Sequence, residues 1–480
     1  MTTRTIELLI DNEDVPGVDY ADVRDPGRYA DVVGRVAQAD AALVARAVDA
    51  AHRAFPGWAA TPMQERARRV LQVADLLEAM VEELTPIVVA ETGMLPAEIR
   101  LEIAGAAFAT RDNVDAARAF LQPKKVEDET SWVSIEKKPV GVIAGFVPWN
   151  APIVLMIRKV APALVCGNTI VIKSPPTAPM GIAVLLKRAA ALFPPGVINV
   201  VHGGNEAGQA LVAHPKVRLI SFTGGGKAAT SIMKSAADTI KNVQFELGGN
   251  DPAIVLDDMD LDKQMATLIG GTFHRSGQFC FAVKRIYVPE KIFEAFCDRF
   301  AAELNKVRVG HPLDPRTTFG PVNNAQQYAY VKSLVERARE SDAEVLELGE
   351  AVDPATWNQG YYLKPVMVKR PRPDQEIVAC EQFGPIIPIV PYTSEDEVVA
   401  MANDTEFGLG SSVWTTSFER GVALARRIEA GMTFINKNAQ SRLGRRYMPF
   451  GGVKQSGIGT ENSELGLANY VEYHAINFHK

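Results

Sequence analysis

Cys280 stands in the run Phe273-His274-Arg275-Ser276-Gly277-Gln278-Phe279-Cys280-Phe281-Ala282, between a helix-like and a strand-like segment, and is the best nucleophile candidate in the chain. Upstream, Phe245-Glu246-Leu247-Gly248-Gly249-Asn250 ends an apolar strand on a lone glutamate followed by two glycines, a setting suited to a general base that other groups must approach closely. Further upstream, Pro148-Trp149-Asn150-Ala151-Pro152 places a neutral amide at a strand-to-helix turn. Thiol, carboxylate and amide are the parts needed to attack a carbonyl carbon, hold the oxyanion that forms and activate a water. Each has a plainer reading: a packed cysteine, a solvated or ion-paired glutamate, and an asparagine that only caps a helix.

The elements that must position these groups read as α/β. From about 140 to 250, apolar strands (Val140 to Val147, Thr169 to Lys173, Val197 to Val201, Val217 to Phe222, Asn242 to Leu247) alternate with helices (Ile153 to Val165, Met180 to Leu192, Ala228 to Ala237). Such alternation predicts an open parallel sheet covered on both faces, with ligands collecting at the carboxyl ends of its strands, where Asn150, Lys173, Gly224 and Glu246 fall. A second α/β set runs from Pro252 to Arg442, with strands near Ala253 to Leu256, Val283 to Val288, Ile386 to Pro391 and Met432 to Ile435. Between them lie the helices Ile292 to Val307 and Phe418 to Glu429, the latter capped by Ser417. Ala41 to Arg118 reads as helical, residues 121–139 as a polar interruption and Tyr470 to Phe478 as a strand; two exposed strands so far apart in sequence suggest a small sheet able to pair with another subunit.

At 480 residues, two or more domains are expected, and 47% apolar with 22% charged residues describes a globular chain. A net charge of −6 argues against a nucleic-acid partner held through phosphates. The four cysteines, Cys166, Cys280, Cys297 and Cys380, show neither paired spacing nor a histidine pair beside them, so neither a disulfide framework nor a metal site is expected. With no leader-like N-terminal segment and no membrane-length apolar run, the expectation is a soluble, cytoplasmic protein.

Taken together these residues resemble the aldehyde dehydrogenase family. The ordered series is Pro-Trp-Asn at 148–150, Lys173, Phe-Thr-Gly at 222–224, Glu-Leu-Gly-Gly at 246–249, Gly-Gln-Phe-Cys at 277–280, Glu381-Gln382-Phe383-Gly384-Pro385, Asn436, and Pro449-Phe450-Gly451-Gly452. The resemblance implies that family's fold: a Rossmann-like cofactor domain (1–120 and 140–250), an α/β catalytic domain (251–445) and a small β oligomerisation element (121–139 and 455–480), with homodimers or homotetramers. It implies Cys280 as nucleophile, Asn150 and the Cys280 amide as oxyanion donors, Glu246 as water-activating base and Glu461 as a relay carboxylate. NAD or NADP would be held by Val147, Pro148, Trp149, Lys173, Ser174, Pro176, Phe222, Thr223, Gly224, Gly225, Leu247, Glu381 and Phe383, with Lys173 and Glu381 on the two riboses. The turn from Thr223 to Lys227 opens a helix and suits a pyrophosphate, although Gly225 and Ala229 replace the family's usual serine and second glycine. Pro176 stands where many members carry a glutamate that accepts from the adenosine ribose, which weakens discrimination against NADP.

For the substrate, Arg158 and His274 match basic groups that grip the distal carboxylate in succinic semialdehyde dehydrogenases, implying a semialdehyde or hydroxyaldehyde with an acidic or polar tail. Ala151 resembles instead the aromatic aldehyde dehydrogenases, Phe279 and Phe281 flank the thiol where they would stack on such a ring or narrow the entrance, and Phe450 is a further substrate-site candidate. The arginine-rich segment from Gln440 to Tyr447 is expected at the substrate mouth or on a solvated loop. A coenzyme A-acylating enzyme is disfavoured by Glu246, and a non-catalytic relative of the lens-crystallin kind by retention of all three reacting groups.

Overall fold

The computed structural model describes residues 4–438 and 443–480. Two twisted sheets carry the fold. The first runs, in spatial order, Gly457–Ile458, Asn242–Glu246, Val217–Thr223, Val142–Phe146, Thr169–Lys173, Ile198–Val201, Leu8–Ile10 and Glu13–Val15. Its five central strands are parallel. Val142–Phe146 is buried along its whole length, as a strand covered by helices on both faces requires. From that strand the chain builds outward through Thr169–Lys173 and Ile198–Val201, then returns to lay Val217–Thr223 on its other side. The order therefore reverses beside Val142–Phe146, and the turn holding Asn150 leaves from that point.

The second sheet has the order Glu344–Glu347, Val366–Lys369, Ile386–Tyr392, Val283–Pro289, Asp251–Val255, Gly410–Trp414 and Met432–Ile435, parallel throughout except at its first strand. Cys280 and Glu381 lie in the loops entering Val283–Pro289 and Ile386–Tyr392. The site thus forms where the carboxyl ends of one sheet face the amino ends of the other. The helix Pro152–Val165, started by its N1 proline and buried on nearly all sides, fixes the turn that carries Asn150.

Residues 121–139 form two strands, Lys124–Glu127 and Ser131–Pro139, and the C-terminal strand Val471–His479 pairs antiparallel with the second along its whole length. This small sheet keeps Lys124–Glu127 and Val471–His479 as its edges. Gly457–Ile458 joins the first large sheet, beside Asn242–Glu246. Three strands before residue 39, Arg4–Ile6, Asp19–Asp25 and Arg28–Gln38, form a further sheet that the sequence reading did not contain. Among the described residues no helix is long and apolar enough to cross a membrane.

Candidate active site

Two cavities meet at the thiol. One, of about 520 Å³, is lined by Ala151, Val154, Arg158, His274, Phe279, Phe281 and Arg445 among others. The second, of about 490 Å³, is lined by Pro148, Trp149, Thr223, Gly224, Gly225, Lys227, Glu246, Leu247, Gly248, Glu381 and Phe383 among others. Asn150, Leu155 and Cys280 belong to both walls. A group at that junction is open to one molecule from each side.

The loop that presents Cys280 is strained and heavily tied. Arg275 and Ser276 take left-handed backbone angles (φ 54° and 57°), which cost about 1 kcal/mol or more each for residues with a side chain, and Gly277 follows at φ 74°. Side chains hold this shape. The Arg275 guanidinium donates to the Asn150 carbonyl at 2.6 Å and to Glu102 Oε2 at 2.7 Å, and its backbone N–H donates to Glu98 Oε1 at 2.8 Å. Glu102 Oε1 in turn accepts the free N–H groups of Ile153 and Val154 at the start of the helix after Asn150. Ser276 Oγ donates to the Gly320 carbonyl, and the Gln278 amide bridges the Arg275 and Pro321 carbonyls and the Asn323 N–H. Behind the thiol, the buried Lys284 ammonium donates to the Cys280 carbonyl at 2.6 Å and lies 3.5 Å from Glu381.

Asn150 does not cap the helix: Ala151 occupies that position, and Asn150 Nδ2 donates to the Gln278 carbonyl at 3.1 Å. That bond fixes the amide and leaves its second N–H unspent. The Cys280 N–H has no protein acceptor among the described residues. Two oriented donors therefore flank the thiol.

Burial raises the pKa of both reacting acids. Burial, then the charge of Glu246, pushes the Cys280 thiol up to about 12. Burial, then the neighbouring Glu461, raises the Glu246 carboxyl well above the usual carboxylate range, and neither of its oxygens has a hydrogen-bond partner. Glu461 is held by two cations, Arg158 Nη1 at 3.3 Å and Lys159 Nζ at 3.4 Å, all of them buried. Lys159 also donates to Thr223 Oγ1 and Ser221 Oγ, joining the floor of the first sheet to Glu461.

The sequence-predicted substrate groups are placed unevenly. Phe279 and Phe281 pack edge to face at 5.1 Å on the cavity wall, and His274 pairs with Glu98 at 3.2 Å. Arg158 reaches the cavity already ion-paired, to the Glu461 that it shares with Lys159, and stacked on Phe450 at 4.6 Å, while its Nε has no hydrogen-bond partner among the described residues. Phe450 itself is buried behind Arg158 and off the lining. Of the segment 440–447, residues 440–442 lie outside the described residues, while Arg445 lines the cavity. Burial, then Arg158, draws the Arg445 guanidinium down to about 9, so it remains charged at neutral pH. Arg275, Lys159 and Lys284 were not singled out from sequence; a buried cation inside an apolar run was the available signal.

A family model described as "Aldehyde dehydrogenase family" matches residues 16–476. The chain belongs to the aldehyde dehydrogenase family. It is 34% identical over 445 residues to a glutarate-semialdehyde dehydrogenase of Pseudomonas putida, covering 92% of this chain and 91% of that protein. Among solved structures it is similar to an NAD-dependent aldehyde dehydrogenase from Sinorhizobium meliloti (33% identity, TM-score 0.94, 99% of this chain and 95% of that one). It is also similar to PnpE in complex with nicotinamide adenine dinucleotide (34% identity, TM-score 0.94, 100% and 98%). As an aldehyde dehydrogenase the protein is an NAD(P)-dependent oxidoreductase acting on aldehydes.

The second cavity of this aldehyde dehydrogenase fits such a cofactor. Gly225 starts the helix Gly226–Ala237 without any side-chain cap, and a Cβ at Gly225 or Gly226 would meet nothing, so backbone N–H groups face open space suited to a phosphate. Glu381, anchored by the Gly249 N–H at 3.1 Å, reaches so close to Gly248 that a Cβ there would displace its carboxylate. Val147 and Phe222 pack behind this cavity, and Lys173, Ser174 and Pro176 lie off its lining at the end of the next strand. Ser174 is engaged with His202 at 2.6 Å, and burial draws Lys173 down to about 8.

Breaking the Arg275–Glu102 pair leaves a buried carboxylate without its charge partner. Arg275→Met is expected to lower the unfolding free energy by about 3 kcal/mol in denaturant titrations, and adding Glu102→Gln to recover part of that loss.

Proposed function

We propose that the protein oxidises an aldehyde to its free carboxylic acid through a thioester on Cys280, hydrolysed by water that Glu246 activates. The observation that carries this reading is that Cys280 and Asn150 line both cavities while Glu246 lines the cofactor side. Cys280 Sγ adds to the aldehyde carbon as its proton leaves, and the resulting oxyanion accepts from the free Asn150 N–H and the Cys280 N–H. A nicotinamide cofactor held by Glu381, Phe383 and the Gly225 turn supplies, when bound, the hydride acceptor that turns the adduct into a thioester. Glu246, unpaired at both oxygens, then takes a proton from water, whose oxygen attacks the acyl carbon and releases the thiolate. Glu461, between Lys159 and Arg158, is placed to pass that proton on. Free acid, and not a coenzyme A thioester, is the expected product.

The substrate class we favour is a semialdehyde or hydroxyaldehyde with an acidic or polar tail, supported by the cationic groups of the first cavity and by the glutarate-semialdehyde relative. The Phe279–Phe281 pair and Ala151 on the same wall favour an aromatic aldehyde as the second reading. The exposed edge strand Val471–His479 supports assembly into homodimers or homotetramers.

Cys280→Ser should abolish both turnover and the first-turnover burst of reduced cofactor. Glu246→Gln should keep a burst while steady-state turnover falls by about 10²-fold or more; a wild-type rate would remove Glu246 from the mechanism. Because burial raises both acids, their reactive anions appear only as pH climbs, so kcat should rise from neutral into alkaline pH, and Glu246→Gln should flatten its lower limb. With Pro176 in place of a ribose-binding carboxylate, kcat/KM for NAD and NADP should differ by less than about a hundredfold, the order that one charged hydrogen bond supplies.

A further inference from the structure

One arginine on the wall of the substrate cavity, with its Nη1 buried, has no acid partner among the described residues. The cavity's two lining acids both have partners, Glu98 the His274 ring at 3.2 Å and the Arg275 backbone N–H at 2.8 Å, and Glu102 the Arg275 guanidinium at 2.7 Å. Arg158 is ion-paired with Glu461 at 3.3 Å, an acid it shares with Lys159 at 3.4 Å, and its Nε is buried without a hydrogen-bond partner among the described residues. Lys437, the cation left at the rim, is exposed and solvated. Arg445 differs from Arg158 and Arg275 in having no described acid partner. Among the described residues no carboxylate comes within ion-pair distance of it, and its Nη1 is buried without a hydrogen-bond partner. The nearest candidate acid, Asp112, is engaged by Arg446 through the backbone N–H at 2.6 Å. Residues 439–442, Ala-Gln-Ser-Arg, contain no acid that could serve instead. The guanidinium lies against the helix Pro96–Phe120 at Gly105, where an added Cβ would sit 3.3 Å from Nη2. A planar fork of donors with buried, unspent N–H groups in a ligand cavity matches a carboxylate better than a hydroxyl, which lacks both the charge and the second acceptor atom.

We propose that Arg445, and not the ion-paired Arg158, holds the far end of the substrate, and that this end is a carboxylate, which makes the substrate an aldehyde carrying a second, anionic carboxyl group. This rests on the aldehyde-oxidising reading above and narrows it, setting aside hydroxylated and purely aromatic tails. Arg445 acts in binding and takes no part in the bond changes at Cys280.

The test compares glutaric semialdehyde with pentanal, its chain-length analogue without the carboxylate, on the full-length enzyme and on Arg445→Gln and Arg445→Lys. A calorimetric titration of each with glutarate accompanies the kinetics. Wild type should prefer glutaric semialdehyde. Arg445→Gln should lower the ratio of the two kcat/KM values at least tenfold, chiefly through KM for the acid, and weaken glutarate binding by a similar factor, with Arg445→Lys recovering part of both. Equal losses on the two aldehydes, or glutarate binding unchanged in Arg445→Gln, would overturn the assignment. Failure of the underlying mechanism shows itself separately, as turnover that survives Cys280→Ser, and leaves the glutarate titration as a direct measure of Arg445.

Discussion

One guanidinium holds together the parts that must meet for any chemistry at Cys280. Arg275 reaches from the nucleophile loop to the backbone of Asn150 and to Glu102, which itself secures the first turn of the helix behind Asn150. Three segments distant in sequence are thereby fixed to a charge that is almost wholly withdrawn from water. A buried pair of this kind adds little net stability compared with an apolar filling, but it tolerates few alternative geometries, because any rearrangement exposes an unpaired charge to a poor solvent. The left-handed turn at Arg275 and Ser276 persists on those terms. Its backbone cost is offset by bonds made only when the thiol and the amide face the same space.

A second constraint is the scarcity of water around the reacting groups. Burial is the largest cause raising the pKa of both Cys280 and Glu246, which disfavours their anions at the junction of the cavities. Negative charge is held one layer back, on Glu461, between Arg158 and Lys159. This layering has a consequence for recognition. An arginine that stabilises a buried glutamate is not free to bind a substrate anion, so the same cavity can be rich in arginine and still contain few cations able to take a ligand.

The fold was legible wherever local pattern and tertiary environment agree. Thr169–Lys173 and Met432–Ile435 were read at both ends, and Ser417 does cap its helix through the Arg420 N–H. Helix ends were overrun, the helix begun at Phe418 stopping at Ala425 and that read from Ile292 to Val307 spanning Phe293–Leu304, and the strands Val366–Lys369 and Gly410–Trp414 and the helices Asn205–Ala213 and Ala325–Arg339 were not read. The N-terminal strands escaped because Asp19–Asp25 and Arg28–Gln38 are half exposed and polar, and owe their pairing to each other. At the site, Cys280, Glu246 and Asn150 were visible because each sits in a glycine- or proline-marked turn. Their supports were not. Arg275 and Glu102 lie 173 residues apart, and Arg158 and Glu461 303 apart, so nothing local announces either pair. Reading Arg158 as a clamp on a substrate carboxylate followed from a matching position, and only its long-range partner shows that its charge is already engaged.

The same long-range logic couples the two cavities. A Cβ at Gly277 would lie 2.4 Å from the Gly384 carbonyl, so the turn before the thiol packs directly on the loop that carries Glu381 and Phe383. On the other flank, Lys284 binds the Cys280 carbonyl while facing Glu381. The thiol is thus gripped from both sides by the loop that lines the cofactor cavity, and close-packed backbone transmits displacement instead of absorbing it. A ligand that drew Glu381 away from Lys284 would leave that ammonium more of its field to spend on the nucleophile loop, where Lys284 already lowers the Cys280 pKa against the effect of burial.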